Sequence, residues 1–201
     1  MRESGAMLTN ERRSGFTLVE LLVVIAIIGA LAGLVAPQVL GAKKKAERAQ
    51  CLNNVRNIGG LCNQFADEED NRGIFPFGKG SAPMAFESFQ ILVDAEFQNI
   101  KPNLFICPSS LDNPAEPDDN GHFELDENSC SYAYIAKKKK NTSPGNTILL
   151  ADDSVADPDN DVEENHVGGV NVYFLDSSAS FLKKEKFEDR DLPKGLVGNG
   201  N

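Results

Sequence analysis

The sequence predicts an α+β protein in which one long N-terminal helix packs on a small antiparallel sheet. Two observations carry this prediction. An apolar run near the N-terminus is followed by residues with helical periodicity, and short alternating segments bounded by turn residues fill the second half of the chain. A long amphipathic helix needs an apolar surface to cover it, and the strands supply that surface.

Residues 1–15 form a short polar leader, and the run from Phe16 to Ala36 contains a single charge, Glu20. An α-helix of that length reaches about 30 Å, the hydrocarbon thickness of a bilayer. We therefore predict a transmembrane helix over 16–36 and a kink at Pro37. A charge in the apolar layer costs about 2.5–3.5 kcal/mol on insertion scales, so Glu20 is a candidate functional residue.

The helix is predicted to continue over 37–66 as an amphipathic segment. Its apolar residues recur three and four positions apart and form one stripe: Cys51, Val55, Ile58, Cys62 and Phe65. The pair Gly59-Gly60 weakens a helix by about 1 kcal/mol per glycine relative to alanine. It therefore predicts either a break or a close contact between helix and sheet.

Residues 67–182 are predicted to form a globular α+β head. We expect a short helix over about 83–95, strands over 131–136 and 147–151, and a hairpin of strands 170–175 and 179–182. The intervening segments 111–128 and 152–164 are acidic and turn-rich, which predicts surface loops. Residues 183–201 are polar and glycine-ended, which predicts a loose C-terminal tail.

The segment from Gly15 to Glu20, GFTLVE, resembles the processing site of type IV prepilins and of type II secretion pseudopilins. The resemblance implies a pilin-like fold and cleavage by a prepilin peptidase between Gly15 and Phe16. It also implies methylation of the new Phe16 amine and a role for Glu20 in assembly. Physically, the new cation at Phe16 needs a counter-charge in lipid, which Glu20 of a neighbouring subunit can supply.

Two other interpretations of the apolar run remain open. A plain signal anchor needs no processing, and Ala30-Leu31-Ala32 resembles the A-x-A cleavage site of a secretory signal peptide. The run is longer than the usual apolar region of about 7–15 residues in a signal peptide, and it carries Glu20. These two facts favour the prepilin interpretation.

Residues near Cys107-Pro108, and His166 with nine residues before Asp176, resemble pseudopilin-like proteins with an H-x9-DG signature. This chain departs from the signature at Ser177, where those proteins have glycine. A strand between His166 and Asp176 would separate them by about 33 Å, so we expect structural roles at strand ends rather than one shared site. With two histidines in the chain, a histidine-rich metal site is excluded.

The four cysteines and the acidic loops are weaker candidates. Cys51 and Cys62 lie about 16.5 Å apart on one helix, beyond the limit of about 7 Å for a disulfide, and their stripe positions predict buried free thiols. Cys107 and Cys130 flank an acidic loop and are the best candidate pair for a disulfide in an oxidising compartment. Asp157, Asp159 and Asp161 have the alternate spacing of calcium ligands, but Val162 replaces the glycine of an EF-hand. We expect no cofactor.

The predicted function is a non-enzymatic structural subunit, a pseudopilin or minor pilin, of a type II secretion or type IV pilus-like filament. The resemblance implies a single-pass protein of the inner (cytoplasmic) membrane with its head in the periplasm. Implied partners are sister subunits, prepilin peptidase, a membrane platform protein and an assembly ATPase. The net charge of −10 argues against nucleic acid as a partner.

Two alternatives belong to other classes. The first is a membrane-anchored extracytoplasmic binding domain that does not polymerise. The second is an anchored hydrolase, which is disfavoured because no serine or cysteine nucleophile has a recognisable motif around it.

Overall fold

A computed structural model describes residues 16–81, 83–95, 97, 100–135, 137–152, 166, 168–183 and 196–197, with the backbone alone for 35–37 and 196–197. The helices are α1 (Leu18–Asp67) and α2 (Ala85–Asp94), and the strands are β1 (Ala133–Ile135), β2 (Ile148–Ala151), β3 (Gly169–Phe174), β4 (Ala179–Lys183) and β5 (Leu196–Val197). Short 3₁₀ helices cover Glu69–Asn71 and Pro102–Phe105. The predicted α+β, pilin-like layout is confirmed.

The chain divides into two compact units, residues 1–42 and 43–201, and each is described by itself. In the first unit, α1 is apolar on every side. Its large apolar side chains are exposed throughout residues 16–34, and Phe16 is 75% exposed. Among the described helices, none alone has the length and hydropathy of a membrane span. The stretches Leu18–Leu34 and Gln38–Asp67 meet that criterion only as a bent pair.

The second unit, which we call the head, contains the amphipathic part of α1. Cys51, Val55, Ile58 and Cys62 of the predicted stripe are fully buried, and Phe65 packs half-buried beside them. Helix α1 runs through Gly59-Gly60 without a break. A Cβ on Gly59 would lie 2.5 Å from the Tyr173 ring, whereas one on Gly60 would meet nothing within 4 Å. Of the two predicted alternatives, the close helix–sheet contact at Gly59 is therefore correct.

The sheet is antiparallel throughout, with strand order β4-β3-β2-β1-β5. The predicted hairpin is confirmed as β3 and β4, which turn through residues 175–178. The C-terminal tail, predicted to be loose, is corrected at residues 196–197, which pair with Tyr134 and Ile135 of β1. Sequence patterning missed this strand because two residues are too few to show alternation.

The main core of the head lies between α1, α2 and one face of the sheet. Helix α2 places Phe89 against Tyr134 of β1, with ring centroids 4.9 Å apart in an edge-to-face arrangement. Glu87 stabilises the start of α2, because its carboxylate accepts a hydrogen bond of 2.7 Å from the Met84 backbone N–H. A second, smaller apolar cluster includes Ile148, Val170 and Val172.

Candidate functional site

The first candidate site is the beginning of α1. Thr17 and Glu20 form a capping box, in which each side chain bonds the backbone N–H of the other. The Glu20 carboxylate Oε2 accepts hydrogen bonds from Thr17 N (2.8 Å) and Thr17 Oγ1 (2.7 Å), and Glu20 N donates to Thr17 Oγ1 at 3.3 Å. The T-x-x-E pattern of residues 17–20 is the sequence signal for this arrangement. Gly15 lies outside the described residues.

The second candidate pair, His166 and Asp176, does not form a shared site. Asp176 lies in the turn between β3 and β4, where its Oδ1 accepts hydrogen bonds from the backbone N–H of Ser178 (2.9 Å) and from the Ser178 hydroxyl. His166 lies three residues before β3, which begins at Gly169. The turn suits a glycine at position 177, because Ser177 has a φ of 67°, in the left-handed region that favours glycine.

His166 instead meets residues from three other segments. Its Nε2 lies 3.2 Å from Asp152 Oδ2 and 3.5 Å from Cys107 Sγ. Cys51 Sγ donates to the same Asp152 Oδ2 at 3.1 Å. We call Cys51, Cys107, Asp152 and His166 the thiol–histidine cluster. All four side chains are buried.

Four chain segments bring the cluster together. Cys51 is a residue of the buried stripe on α1, and Cys107 follows the 3₁₀ helix Pro102–Phe105. Asp152 directly follows β2, and His166 precedes β3, its antiparallel neighbour. The antiparallel register places Asp152 opposite Asn171 of β3, to whose backbone oxygen Asp152 N donates at 3.0 Å. His166 reaches Asp152 from the turn before β3, in which Gly169 N donates to His166 O at 3.4 Å.

The neighbours of the cluster hold its carboxylate in place. Asn171 of β3 donates its backbone N–H to Asp152 Oδ1 at 2.8 Å and its side-chain Nδ2 to Asp152 Oδ2. Asn171 Nδ2 also lies 3.3 Å from the backbone oxygen of Arg48 on α1. The hydroxyl of Tyr132 lies 3.6 Å from Cys51 Sγ. Hydrogen bonds from the protein itself therefore hold both carboxylate oxygens of Asp152 in place.

Burial and hydrogen bonding shift the pKa values of three groups in the cluster. Hydrogen bonding with Cys51, with a further contribution from His166, lowers the pKa of Cys107 to about 6, although burial opposes the shift. Burial alone lowers the pKa of His166, but hydrogen bonds to Asp152 and Cys107 outweigh it and raise the pKa to about 9. Burial raises the pKa of Cys51. Hydrogen bonding within the cluster therefore opposes the effect of burial at both Cys107 and His166.

This geometry does not match a nucleophile–base–acid triad. In such a triad the carboxylate contacts one imidazole nitrogen and the nucleophile contacts the other. Here Cys107 Sγ and Asp152 Oδ2 both approach Nε2 of His166. The cluster is also buried among core residues, so its chemistry is that of a structural or ligand-holding site.

The predicted Cys107–Cys130 disulfide is not formed in the structure. All four cysteines are free and buried, as predicted for Cys51 and Cys62. Cys107 Sγ faces His166, whereas Cys130 Sγ contacts the backbone oxygen of Tyr132 at 3.7 Å. The two thiols therefore have separate partners. The candidate calcium ligands Asp157, Asp159 and Asp161 lie outside the described residues.

Comparison with known proteins supports the interpretation of the N-terminus. Residues 11–36 match the family model described as the prokaryotic N-terminal methylation motif. This match and the relatives below support a pilin- or pseudopilin-like protein. No solved structure matches the chain.

The relatives come from type II secretion and type IV pili. Type II secretion system core protein G of Klebsiella pneumoniae is 40% identical over 55 residues, which are 27% of this chain and 39% of the relative. The same protein of Pectobacterium carotovorum is 48% identical over 47 residues, 23% of this chain and 30% of the relative. Type IV major pilin protein PilA of Myxococcus xanthus is 32% identical over 74 residues, 37% and 34% respectively. The chain thus spans about a third of the length of these relatives.

Proposed function

We propose that this chain is a structural subunit, a pseudopilin or minor pilin, of a filament of the type II secretion or type IV pilus class. The observation that carries the proposal is the methylation-type motif at residues 11–36, which opens an exposed apolar helix whose one early charge is Glu20. Sister subunits, a prepilin peptidase, a platform protein and an assembly ATPase are the partners that this proposal requires. The head then lies outside the cytoplasm and the apolar helix in the inner membrane.

Processing between Gly15 and Phe16 is the first step of the proposal. Hydrolysis of that peptide bond releases the leader and leaves an α-amino group on Phe16, which a methyl donor then methylates. Phe16 is 75% exposed at the start of the helix, so its new amine is available to a neighbouring chain. In a low-dielectric layer an unpaired amine and an unpaired carboxylate are both costly, which favours pairing between subunits.

The capping box bears on how Glu20 can serve assembly. Both hydrogen bonds that Thr17 donates go to Oε2 of Glu20, and among the described contacts Oε1 is left to accept a bond from another chain. The capping box also fixes the carboxylate near the helix N-terminus, where the amine of a neighbour is needed. Glu20 thus combines a local role, starting its own helix, with the proposed role between subunits.

Variants at Glu20 and Thr17 separate these two roles. Glu20→Gln keeps an oxygen that can accept from Thr17 N but removes the charge, and Glu20→Ala removes both. Thr17→Val is the matched control, because it removes the side-chain half of the capping box and leaves the carboxylate. We expect both Glu20 variants to be processed yet absent from filaments or inter-subunit cross-links, while Thr17→Val assembles.

Two results would contradict the proposed assembly. Normal cross-linking between subunits in Glu20→Gln would exclude the charge pair. If the wild-type chain itself remains monomeric in membranes that contain its sister subunits, the anchored binding domain becomes the better description.

Intact mass and N-terminal sequence, measured on protein purified from its own membranes, test the processing step. We expect N-methyl-Phe16 in the wild type and in Ala32→Leu, and an unprocessed N-terminus in Gly15→Leu. A secretory signal peptide predicts the reverse, with a mature start near Gly33 that Ala32→Leu abolishes. An uncleaved wild-type chain indicates a simple anchor.

A further inference from the structure

We propose that Cys51, Cys107 and His166 bind one divalent metal ion of the zinc class, and that the Asp152 carboxylate, which contacts Cys51 and His166, completes the site. Two sulfurs and one imidazole nitrogen are the primary ligands, and one carboxylate oxygen beside them is the fourth. The inference concerns the head alone and does not depend on filament assembly.

The spacing of the ligand atoms fits a single ion. A tetrahedral site with metal–ligand distances of about 2.0–2.3 Å has ligand–ligand edges of about 3.3–3.8 Å. The measured edges are 3.1 Å from Cys51 Sγ to Asp152 Oδ2, 3.2 Å from Asp152 Oδ2 to His166 Nε2, and 3.5 Å from His166 Nε2 to Cys107 Sγ. The ligand atoms of Cys51, Cys107 and His166 all lie within 4.8 Å of one another. Three of the six edges of the proposed tetrahedron are thus measured, and these three deviate from the tetrahedral range by no more than about 0.2 Å.

The contacts at Nε2 of His166 also favour a bound cation. An imidazole nitrogen carries either one hydrogen or one lone pair, so it makes one good hydrogen bond in the ring plane. Two ligand-type atoms, Cys107 Sγ and Asp152 Oδ2, nevertheless converge on Nε2. A cation between them gives Nε2, the sulfur and the oxygen one common partner.

The surroundings resemble the outer shell that metal ligands require. Ligating carboxylates are themselves held by hydrogen bonds, and Asn171 binds both oxygens of Asp152. Tyr132 lies beside the Cys51 sulfur. The site is also buried, which is typical of structural rather than catalytic zinc, since a catalytic ion keeps a position open to water.

The chemistry of the donors selects the ion. Calcium and magnesium prefer sets made of oxygen alone, whereas thiolate with imidazole in tetrahedral geometry favours zinc. A bound ion would cross-link α1, the segment after Pro102–Phe105, the end of β2 and the start of β3. Since these segments are far apart in sequence, the metal would contribute directly to the folding stability of the head.

Metal content is the direct test, measured on the full-length protein purified from its membranes in detergent without chelator. We expect one zinc per chain, and less than a tenth of that in Cys51→Ser, Cys107→Ser and His166→Gln. Cys62→Ser and Cys130→Ser are the matched controls, because they remove the other two buried thiols, and they should retain the full metal content.

A second measurement keeps the test valid if a ligand variant fails to fold. Cobalt(II) added to the zinc-depleted wild type should give the intense visible bands of a tetrahedral ion and the near-ultraviolet charge-transfer band of a cobalt–thiolate bond. Zinc should displace both signals. Octahedral cobalt without thiolate absorption would overturn the proposal.

Two further results would also overturn it. One is zinc content that is unchanged in Cys51→Ser, which would place the metal elsewhere. The other is a Cys51–Cys107 disulfide in the wild type, detected as the mass of two missing hydrogens and a tryptic cross-link.

The proposal also predicts an effect on stability. A chelator should lower the melting temperature of the wild type and leave that of Cys51→Ser unchanged.

Discussion

Two parts of the same helix meet opposite requirements. Over residues 18–34, α1 exposes apolar side chains on every side, so it needs lipid or other helices to cover it. From Lys43 to Asp67 its apolar residues form one stripe, and the head's own sheet and α2 bury that stripe. Backbone conformation alone therefore says little about function. The distribution of side chains around the axis decides whether a helix belongs to a core or to an assembly.

Three tyrosines and no tryptophan make this comparison measurable. Tyr132, Tyr134 and Tyr173 are all buried in the head. Tyrosine fluorescence during urea unfolding of the full chain in detergent therefore reports the free energy of unfolding of the head and not the state of residues 18–34.

The largest effect should come from one residue type placed in both parts of α1. Ile58 is fully buried, whereas Ile28 is 60% exposed. Ile58→Ala should lower the free energy of unfolding of the head by about 2–5 kcal/mol, through lost burial and a residual cavity. Ile28→Ala should leave it unchanged. Equal effects of the two substitutions would contradict the division of α1 into two environments.

The adjacent glycines provide a test with opposite signs. Gly59→Ala places a Cβ 2.5 Å from the Tyr173 ring and should destabilise the head by about 1–3 kcal/mol. Gly60→Ala meets no atom within 4 Å and should stabilise it by about 0.5–1 kcal/mol, through higher helix propensity. Urea midpoints of the two variants provide the measurement. A stabilising Gly59→Ala would show that α1 and β3 do not approach so closely.

The smallest effect concerns the β3–β4 turn, which α1 reaches through Asn63. Asn63 Nδ2 donates to Tyr173 Oη at 2.8 Å and to Ser177 Oγ at 3.0 Å. Ser177→Gly relieves the left-handed backbone but loses the second bond, and Ser177→Ala loses the bond alone. Ser177→Gly should therefore be more stable than Ser177→Ala by about 1 kcal/mol, because only glycine adopts the left-handed backbone without strain. Equal stability would mean that the turn relaxes in solution.

The regular elements could be predicted because each has a local cause. The stripe from Cys51 to Cys62 has helical spacing, and the apolar runs of β2 and β3 have the composition of buried strands. The short β5 could not be predicted, since its two residues have no period and depend on pairing with β1. The disulfide prediction was wrong because sequence proximity to a loop does not determine which way two thiols point.

The thiol–histidine cluster likewise could not be predicted from the sequence. His166 stood out in the sequence through its spacing to Asp176, yet its actual neighbours are Asp152, Cys107 and Cys51. For Asp152, the one sequence feature that pointed to a site was its position directly after a buried strand. Cys51 carried none beyond its place in an apolar stripe, where a thiol is an ordinary core residue.

The sequence by itself determined the α+β class, the two-part character of α1 and the methylation-type motif, because periodicity and short motifs act over a few residues. Only the tertiary structure decided that Gly59 touches Tyr173, that β5 joins the sheet and that Cys51 meets Asp152 and His166. Such contacts join residues far apart in the chain. They depend on how strands pair and which face of a helix is covered, and packing of the whole head settles both.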